Sequence, residues 1–553
     1  MSIPLILYLI FYFILAKIRL DWAVMLLIAA LPTYLIRFNF LGVPFTLLEA
    51  MILTSFTVWV IANLRQIVDN IKSRIKVFQS ANWRTKFKII SIRQSASRRS
   101  GQNSKLIKYP FDVEIILMLI ISFVAVAVAG FSNSALGIWK AYFFEPVLVF
   151  ILVLNFPFLS FRTDPPAGPA AREQRGWRIG MTKRAIRDDN SQAVWNKKTH
   201  CNASLRKILW PLTISAFFVS IFAIYQKFTG AFIFNELWTA EETRRVTSFF
   251  GYPNAVGLFL GPIVMAMIGW LVNKTFNFQS ASPLRQLADR RSGQFLKILF
   301  IAATIILSLL SIYFAKSEGA LIGVAAGLII FGILAGKKTR WATLLLIFVM
   351  GAGIMVYQPT RNYAIKKITL RDLSGEIRKQ QWKETWQMLQ EGRIITGAGL
   401  ADYQNAIKPY HQEGIFFNKD NDPDFRRKIV IFDDKYRIEH WQPVEVYLYP
   451  HNILLNFWVE FGLAGMLLFI WIIGKYFVVG ITNYKLQITN NKLKNKYISL
   501  GLVCAMAVIV VHGLVDVPYL KNDLAVMFWL FVAMMSLVNL KNFHKSTNQL
   551  TNL

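Results

Sequence analysis

The chain has 553 residues, 55% of them apolar or aromatic, and a mean hydropathy of +0.41. The apolar residues come in blocks of about 20, the length that crosses a bilayer, and this excludes a soluble globular protein. The formal charge of +31 would point to nucleic acid on a soluble chain; here it reads as the positive-inside signature, and two cysteines, Cys201 and Cys504, exclude a disulfide framework.

Apolar spans are predicted near 3–18, 22–36, 43–64, 112–130, 141–160, 208–227, 253–273, 296–315, 319–335, 341–357, 452–479, 497–517 and 523–540. That makes 13, or 12 if the first two, separated only by "KIRLD", act as one broken element. The first span lacks a basic leader and a small-residue cleavage site, so it is expected to remain as a helix. The expected fold class is an all-α polytopic membrane protein with one large helical extracytoplasmic loop. Its parts would be N-terminal transmembrane helices (1–64), a basic cytoplasmic loop (65–108), a transmembrane hairpin (109–161) and a second basic, disordered loop (162–207). A central transmembrane core (208–357), the large loop (358–450), C-terminal helices (451–540) and a cytoplasmic tail (541–553) follow.

Charge sets the orientation. Residues 65–108 carry 12 Lys/Arg and one acid, and residues 162–207 carry 11 Lys/Arg and four acids. The shorter loops 274–297, 336–340 and 480–496 are also basic, and alternation of the spans puts all five on one side, which must be the cytoplasm. The loops 228–252, 316–318, 358–450 and 518–522 then face outward. The longest carries 15 Lys/Arg against 13 Asp/Glu, a balance that suits an ordered subdomain.

Five outward stretches carry chemistry. In "RRVTSFFGYPNAVGLFLGP" Arg245 could hold a phosphate with its planar, permanently charged fork, or simply anchor at the headgroups; Asn254 reads as a helix cap. In "GEIRKQQWKETWQMLQEGRIITGAGLADY" the spacing of Trp382, Trp386 and Leu389 predicts an amphipathic helix. Arg378 falls on its apolar stripe, where it needs an anionic partner, either a ligand phosphate or a carboxylate such as Glu445. In "YLYPHNILLNFWVEFGLAG" His451 stands at the mouth of a span, poised for proton transfer or capping the helix. Asn452 could cap that helix or orient the ring, and Glu460, deeper in the span, could neutralise an arginine. In "VHGLVDVPYLKNDLAVMFW" His512 and Asp516 are four residues apart on one face, a proton relay or a hydrogen-bonded structural pair. "AKSEGALIGVAAGL" has the small residues that allow close helix packing. No HExxH, phosphate-binding Gly-rich loop with Lys, or clustered His/Cys set is present, so no metal or cofactor is expected.

The order of "R(x)8N", "SxGA", "RxxxW…GxGL" and "HN…ExGLxG" over roughly residues 208 to 540 resembles the O-antigen ligase and polymerase superfamily. The resemblance implies a metal-independent membrane glycosyltransferase. Such an enzyme takes a glycan from an undecaprenyl-diphosphate carrier and passes it to a hydroxyl of an acceptor glycan, lipid or protein, outside the inner (cytoplasmic) membrane. It implies that Arg245 and Arg378 bind the diphosphate and that His451 is catalytic; Asn254, Asn452, Glu460, His512 and Asp516 are expected to support them. Membrane lipids are expected as partners, and nucleic acid is not. One position departs from the pattern: the family hairpin usually reads "SRGA", and Glu318 stands here in the place of that arginine. Ligase, polymerase and protein O-glycosylation readings differ only in acceptor. A lipid-linked glycan flippase is the rival of another class, expected to show inverted repeats and helices broken at the midplane.

Overall fold

A computed structural model describes residues 2–40, 42–79, 111–155, 185–279, 293–431, 433–489 and 495–549. The helices, in chain order, are α1 (Ile3–Ile18), α2 (Leu20–Ala29), α3 (Leu47–Gln79), α4 (Asp112–Val128), α5 (Asn133–Leu154) and α6 (Ala185–Thr229). Then come α7 (Pro253–Gln279), α8 (Gln294–Phe314), α9 (Glu318–Ala335), α10 (Lys337–Val356), α11 (Gln358–Ile368) and α12 (Leu373–Met388). Three short helices, α13 (Tyr403–Ile407), α14 (Phe425–Val430) and α15 (Asp434–His440), precede α16 (Ile453–Thr489), α17 (Lys496–His512) and α18 (Asn522–Gln549).

The all-α polytopic fold class is borne out. Helices α3, α5 to α10 and α16 are each long and apolar enough to cross a membrane, and α1, α2, α17 and α18 are shorter apolar helices. A helix closes its own backbone hydrogen bonds, which hydrocarbon cannot, so apolar blocks of this length have no other stable open-chain form. Helices α1 and α2 are separate elements folded back on one another: the Tyr12 hydroxyl donates to Ala23 O at 3.0 Å. The span expected at 22–36 ends early. A 3-10 turn at Leu31–Leu35, with Pro32 in its first turn, stops it. A hairpin of β1 (Arg37–Phe40) and β2 (Val43–Thr46) follows, so the next span starts at Leu47 rather than 43. A capping box fixes that start, Thr46 N donating to Glu49 Oε2 at 2.9 Å and Glu49 N to Thr46 Oγ1 at 3.2 Å. The reading of 65–108 as a loop and of 162–207 as a disordered loop falls mostly outside the described residues, but residues 65–79 continue α3 and residues 185–207 are helical, as the start of α6.

The core lies where α7 crosses the almost entirely buried α17. Gly269 and Gly501 face each other there: a Cβ on Gly269 would lie 2.6 Å from Gly501 Cα and 2.5 Å from Tyr497 O. Only glycine admits backbones this close, and in lipid such contact replaces the hydrophobic force that holds soluble helices together.

Between α10 and α16 the described residues form α11 to α15 and a small sheet of β3 (Gly414–Phe416) and β4 (Trp441–Pro443). Helix α12 is present as expected, but it is turned. Its buried face is Gln381, Glu384, Thr385 and Met388, while Trp386 is 43% exposed and lies against Trp458. The cause is the polar interior it meets: Glu384 accepts from Gln412 N at 3.0 Å, and Thr385 shares a hydrogen bond with the Tyr403 hydroxyl at 2.8 Å.

The "TGAGL" turn docks into a break in α16. Gly462 leaves the helical region (φ 68°, ψ −176°), and its freed neighbours pair with the turn, Leu463 N donating to Ile395 O at 3.1 Å and Ala398 N to Val459 O at 2.6 Å. Gly397 is also left-handed (φ +70°), and a side chain there would strike Val459 O and Trp458 O. Irregular backbone at this depth is stable because protein, not lipid, covers it.

Candidate functional site

The turn at 513–517, between α17 and α18, is a hub on which three helices, α7, α12 and α16, converge. Ile453 N, opening α16, donates to Gly513 O at 2.7 Å. The Asn452 amide donates to Leu514 O at 3.1 Å, and Arg378 Nε, from α12, donates to Val515 O at 3.1 Å. Asp516 then accepts from the Asn254 amide at 3.2 Å and from Val517 N at 2.8 Å.

Asn254 extends this hub to Arg245. Its Oδ1 accepts from Arg245 Nη2 at 3.1 Å while its Nδ2 reaches Asp516. Arg245 also donates from Nε to Ala315 O at 3.0 Å and from Nη2 to Lys316 O at 3.4 Å, which seats it on the tip between α8 and α9. On the other side of Asp516, its Oδ1 lies 3.8 Å from His451 Nδ1. A line therefore runs Arg245, Asn254, Asp516, His451, with Arg378 bonded one residue along the same turn.

The His451 ring sits between Tyr447 and Tyr449, with centroids 5.1 and 5.0 Å away and both edge-on. Its backbone is left-handed at φ +38°, a conformation that costs a non-glycine residue about 1–2 kcal/mol. Two side-chain donors of α12 secure the approach: Gln381 to Tyr449 O and Trp382 to Pro450 O, each at 2.8 Å. Among the described residues, the buried His451 Nδ1 has no hydrogen-bond partner; it lies close to Asp516 but beyond bonding range.

The charges are graded. Burial acts first on Asp516, pushing its carboxyl up, but the facing His451, the charge of the neighbouring His512 and the hydrogen bond from Val517 N–H overcome it and bring the group down to about 2. Asp516 is thus a carboxylate. Burial lowers the Arg245 guanidinium from its ordinary value and Glu318 pulls it back. An arginine keeps its proton across the accessible range. Among the described residues no carboxylate lies within ion-pair distance of Arg245 or Arg378. Arg378 spends Nη1 on Ser374 Oγ at 2.6 Å; its Nη2, and Nη1 of Arg245, have no protein acceptor there.

The other expected residues are placed as follows. Asn452 does cap its helix, its Oδ1 accepting from Leu454 N at 3.0 Å and Leu455 N at 3.1 Å. Asn254, expected as a cap, is instead the bridge between Arg245 and Asp516. Glu445 is not the partner of Arg378, whose bonds go to main-chain carbonyls and Ser374. Glu460 neutralises no arginine: it accepts from Ala401 N at 2.7 Å and so pins the glycine turn. His512 and Asp516 make no direct hydrogen bond, because α17 ends at His512 and the turn carries Asp516 away from the helix face. His512 is buried and packs against Gly319 of α9. Glu318 faces outward from the tip, paired with Lys367 at 2.7 Å and Tyr363 at 3.3 Å. The reading of the sequence missed Tyr447 and Tyr449. Their spacing before His451 in "YLYPH" was the available signal.

Residues 303–470 match the family model for O-antigen ligase, which bears out the resemblance over that stretch. The matched stretch holds Arg378 and His451, while Arg245, Asn254 and Asp516 lie outside it and are joined to it by geometry. No curated protein matches the chain. The match supports a membrane glycosyltransferase-like function with lipid-linked glycan and acceptor substrates.

Proposed function

We propose that this chain, whose residues 303–470 carry the O-antigen ligase pattern, transfers a glycan from an undecaprenyl-diphosphate carrier to an acceptor hydroxyl on the extracytoplasmic face of the cytoplasmic membrane. The observation that carries the reading is the unbroken contact line Arg245–Asn254–Asp516–His451, with Arg378 fixed to the same turn.

The unused nitrogens of Arg245 and Arg378 would take the diphosphate oxygens, where the two positive charges stabilise the leaving group as its negative charge grows. Asp516 faces Nδ1 of His451, which leaves Nε2 to accept the proton of the incoming hydroxyl. That oxygen then attacks the anomeric carbon, the bond from this carbon to the diphosphate oxygen breaks, and its electron pair leaves on the diphosphate. The transfer inverts the configuration. Two opposite charges about 4 Å apart attract by roughly 1 kcal/mol in water and about 4 kcal/mol near a protein surface, so Asp516 favours the imidazolium that this step creates. The carrier's tail remains in lipid with its diphosphate at the interface, the level at which α16 begins.

The test incubates the purified full chain with a carrier-linked glycan and an acceptor and follows release of undecaprenyl diphosphate. Release that requires His451 supports the reading. Movement of the intact carrier across the bilayer without cleavage would replace it with a flippase. The acceptor that becomes labelled separates ligase, polymerase and protein glycosylation.

A further inference from the structure

A second cationic cluster lies at the far end of the same helix. Lys274 is 20 residues beyond Asn254 in α7, which at 1.5 Å per residue puts it about 30 Å away, at the opposite end of the bundle. Lys274 is only 8% exposed. Its ammonium lies 5.1 Å from the Trp270 ring and 5.7 Å from the Trp210 ring, and these two rings meet edge to face at 5.0 Å. Arg206 and Lys297 act on it with like charge. Among the described residues no carboxylate pairs with it.

A buried ammonium held by ring faces regains part of the hydration it has lost, and the like charge of two further cations removes some of that again. A second group at the same place lacks a partner. Trp270, one turn before Lys274 on the same face, has a buried indole N–H with no acceptor among the described residues. A buried donor without an acceptor and a buried cation without an anion call for the same missing chemistry: an oxyanion. Around them Trp210 stacks on Phe300, and Phe295 and Leu296 of α8 are exposed, so the approach is apolar.

We propose that Lys274, Arg206 and Lys297, with the Trp270 indole N–H, bind the phosphodiester headgroup of an anionic phospholipid at the end of the bundle opposite His451. The acyl chains lie along the apolar side of α6 and α8. Basic pockets between membrane helices take anionic headgroups by this chemistry. The site ties α6, α7 and α8 together at one boundary and takes no part in glycan transfer.

The full-length protein in phosphatidylcholine nanodiscs is titrated with dioleoylphosphatidylglycerol, and bound lipid and unfolding temperature are measured. Phosphatidylglycerol is expected to bind and raise the unfolding temperature. Lys274→Met, which keeps the apolar stem, is expected to lose the effect. The paired change Arg206→Gln and Lys297→Gln, at two exposed positions, should weaken binding by about fivefold per cation and tests the site without touching the core. No stabilisation by phosphatidylglycerol, or an undiminished effect in both variants, overturns the proposal. Inorganic phosphate stabilising as strongly as the lipid overturns the lipid as ligand. None of these readouts depends on the transferase activity.

Discussion

His451 combines two properties in one residue: a left-handed backbone and a ring whose Nδ1 faces a carboxylate. The two separate by mutation. His451→Ala removes the general base and should lower turnover by about 10²–10⁴-fold with carrier affinity retained, as read by undecaprenyl diphosphate release. His451→Gly should be equally inactive yet more stable than the alanine variant by about 1 kcal/mol, because glycine takes φ +38° without strain. Equal thermal stability of the two would mean that the backbone there is not strained. Asp516→Asn keeps the bond to Val517 N but loses the charge, so turnover should fall by less than in His451→Ala while the apparent KM for carrier is unchanged. For the arginines, each charge-assisted hydrogen bond lost is worth roughly 1.5–3 kcal/mol, so Arg245→Ala and Arg378→Ala should each weaken carrier binding about 10- to 100-fold. Arg378→Lys should not rescue. An ammonium cannot hold Val515 O and Ser374 Oγ and still reach a ligand with a third nitrogen.

The elements owe their order to a few joints. Asn452 starts α16 by capping two amides and, through Leu514 O, ties that start to the turn bearing Asp516. Asn452→Ala should cost about 1 kcal/mol in thermal unfolding, the loss of an N-cap. Activity should fall further than stability explains, because His451 is the adjacent residue. Gly462→Ala should be more damaging than the cap change. It puts a Cβ against Ile395 O at a left-handed position and so pushes the glycine turn out of the break in α16. If that variant unfolds at the wild-type temperature, the break does not depend on the turn. The amphipathic pattern located α12 but misjudged its face, since periodicity reports which residues share a side and not whether the neighbour is apolar. Here the neighbour offers Tyr403, His411 and Gln412, and Glu384 with Thr385 turned toward it.

At the scale of the molecule, the positive-inside argument sends the site outward and the Lys274 end inward. In a chain with Cys201 and Cys504 replaced, Lys419→Cys should react with a membrane-impermeant maleimide on intact cells, and Ser95→Cys only after permeabilisation. The reverse pattern would invert the proposed topology. Membrane class, helical fold and the grouping of Arg245, Arg378 and His451 on one side were all legible in the sequence. Hydrocarbon imposes length and polarity on each span separately, and loop charge is read without knowing any contact. What only the tertiary structure decided is which of the polar residues touch. Asn254 and Asp516 are 262 residues apart and meet because α7 crosses α17 at paired glycines, and Glu460 pins a backbone amide because the glycine turn reaches it first. A hydrogen bond depends on ångström-scale placement by helices distant in the chain, and no local pattern of residues encodes that.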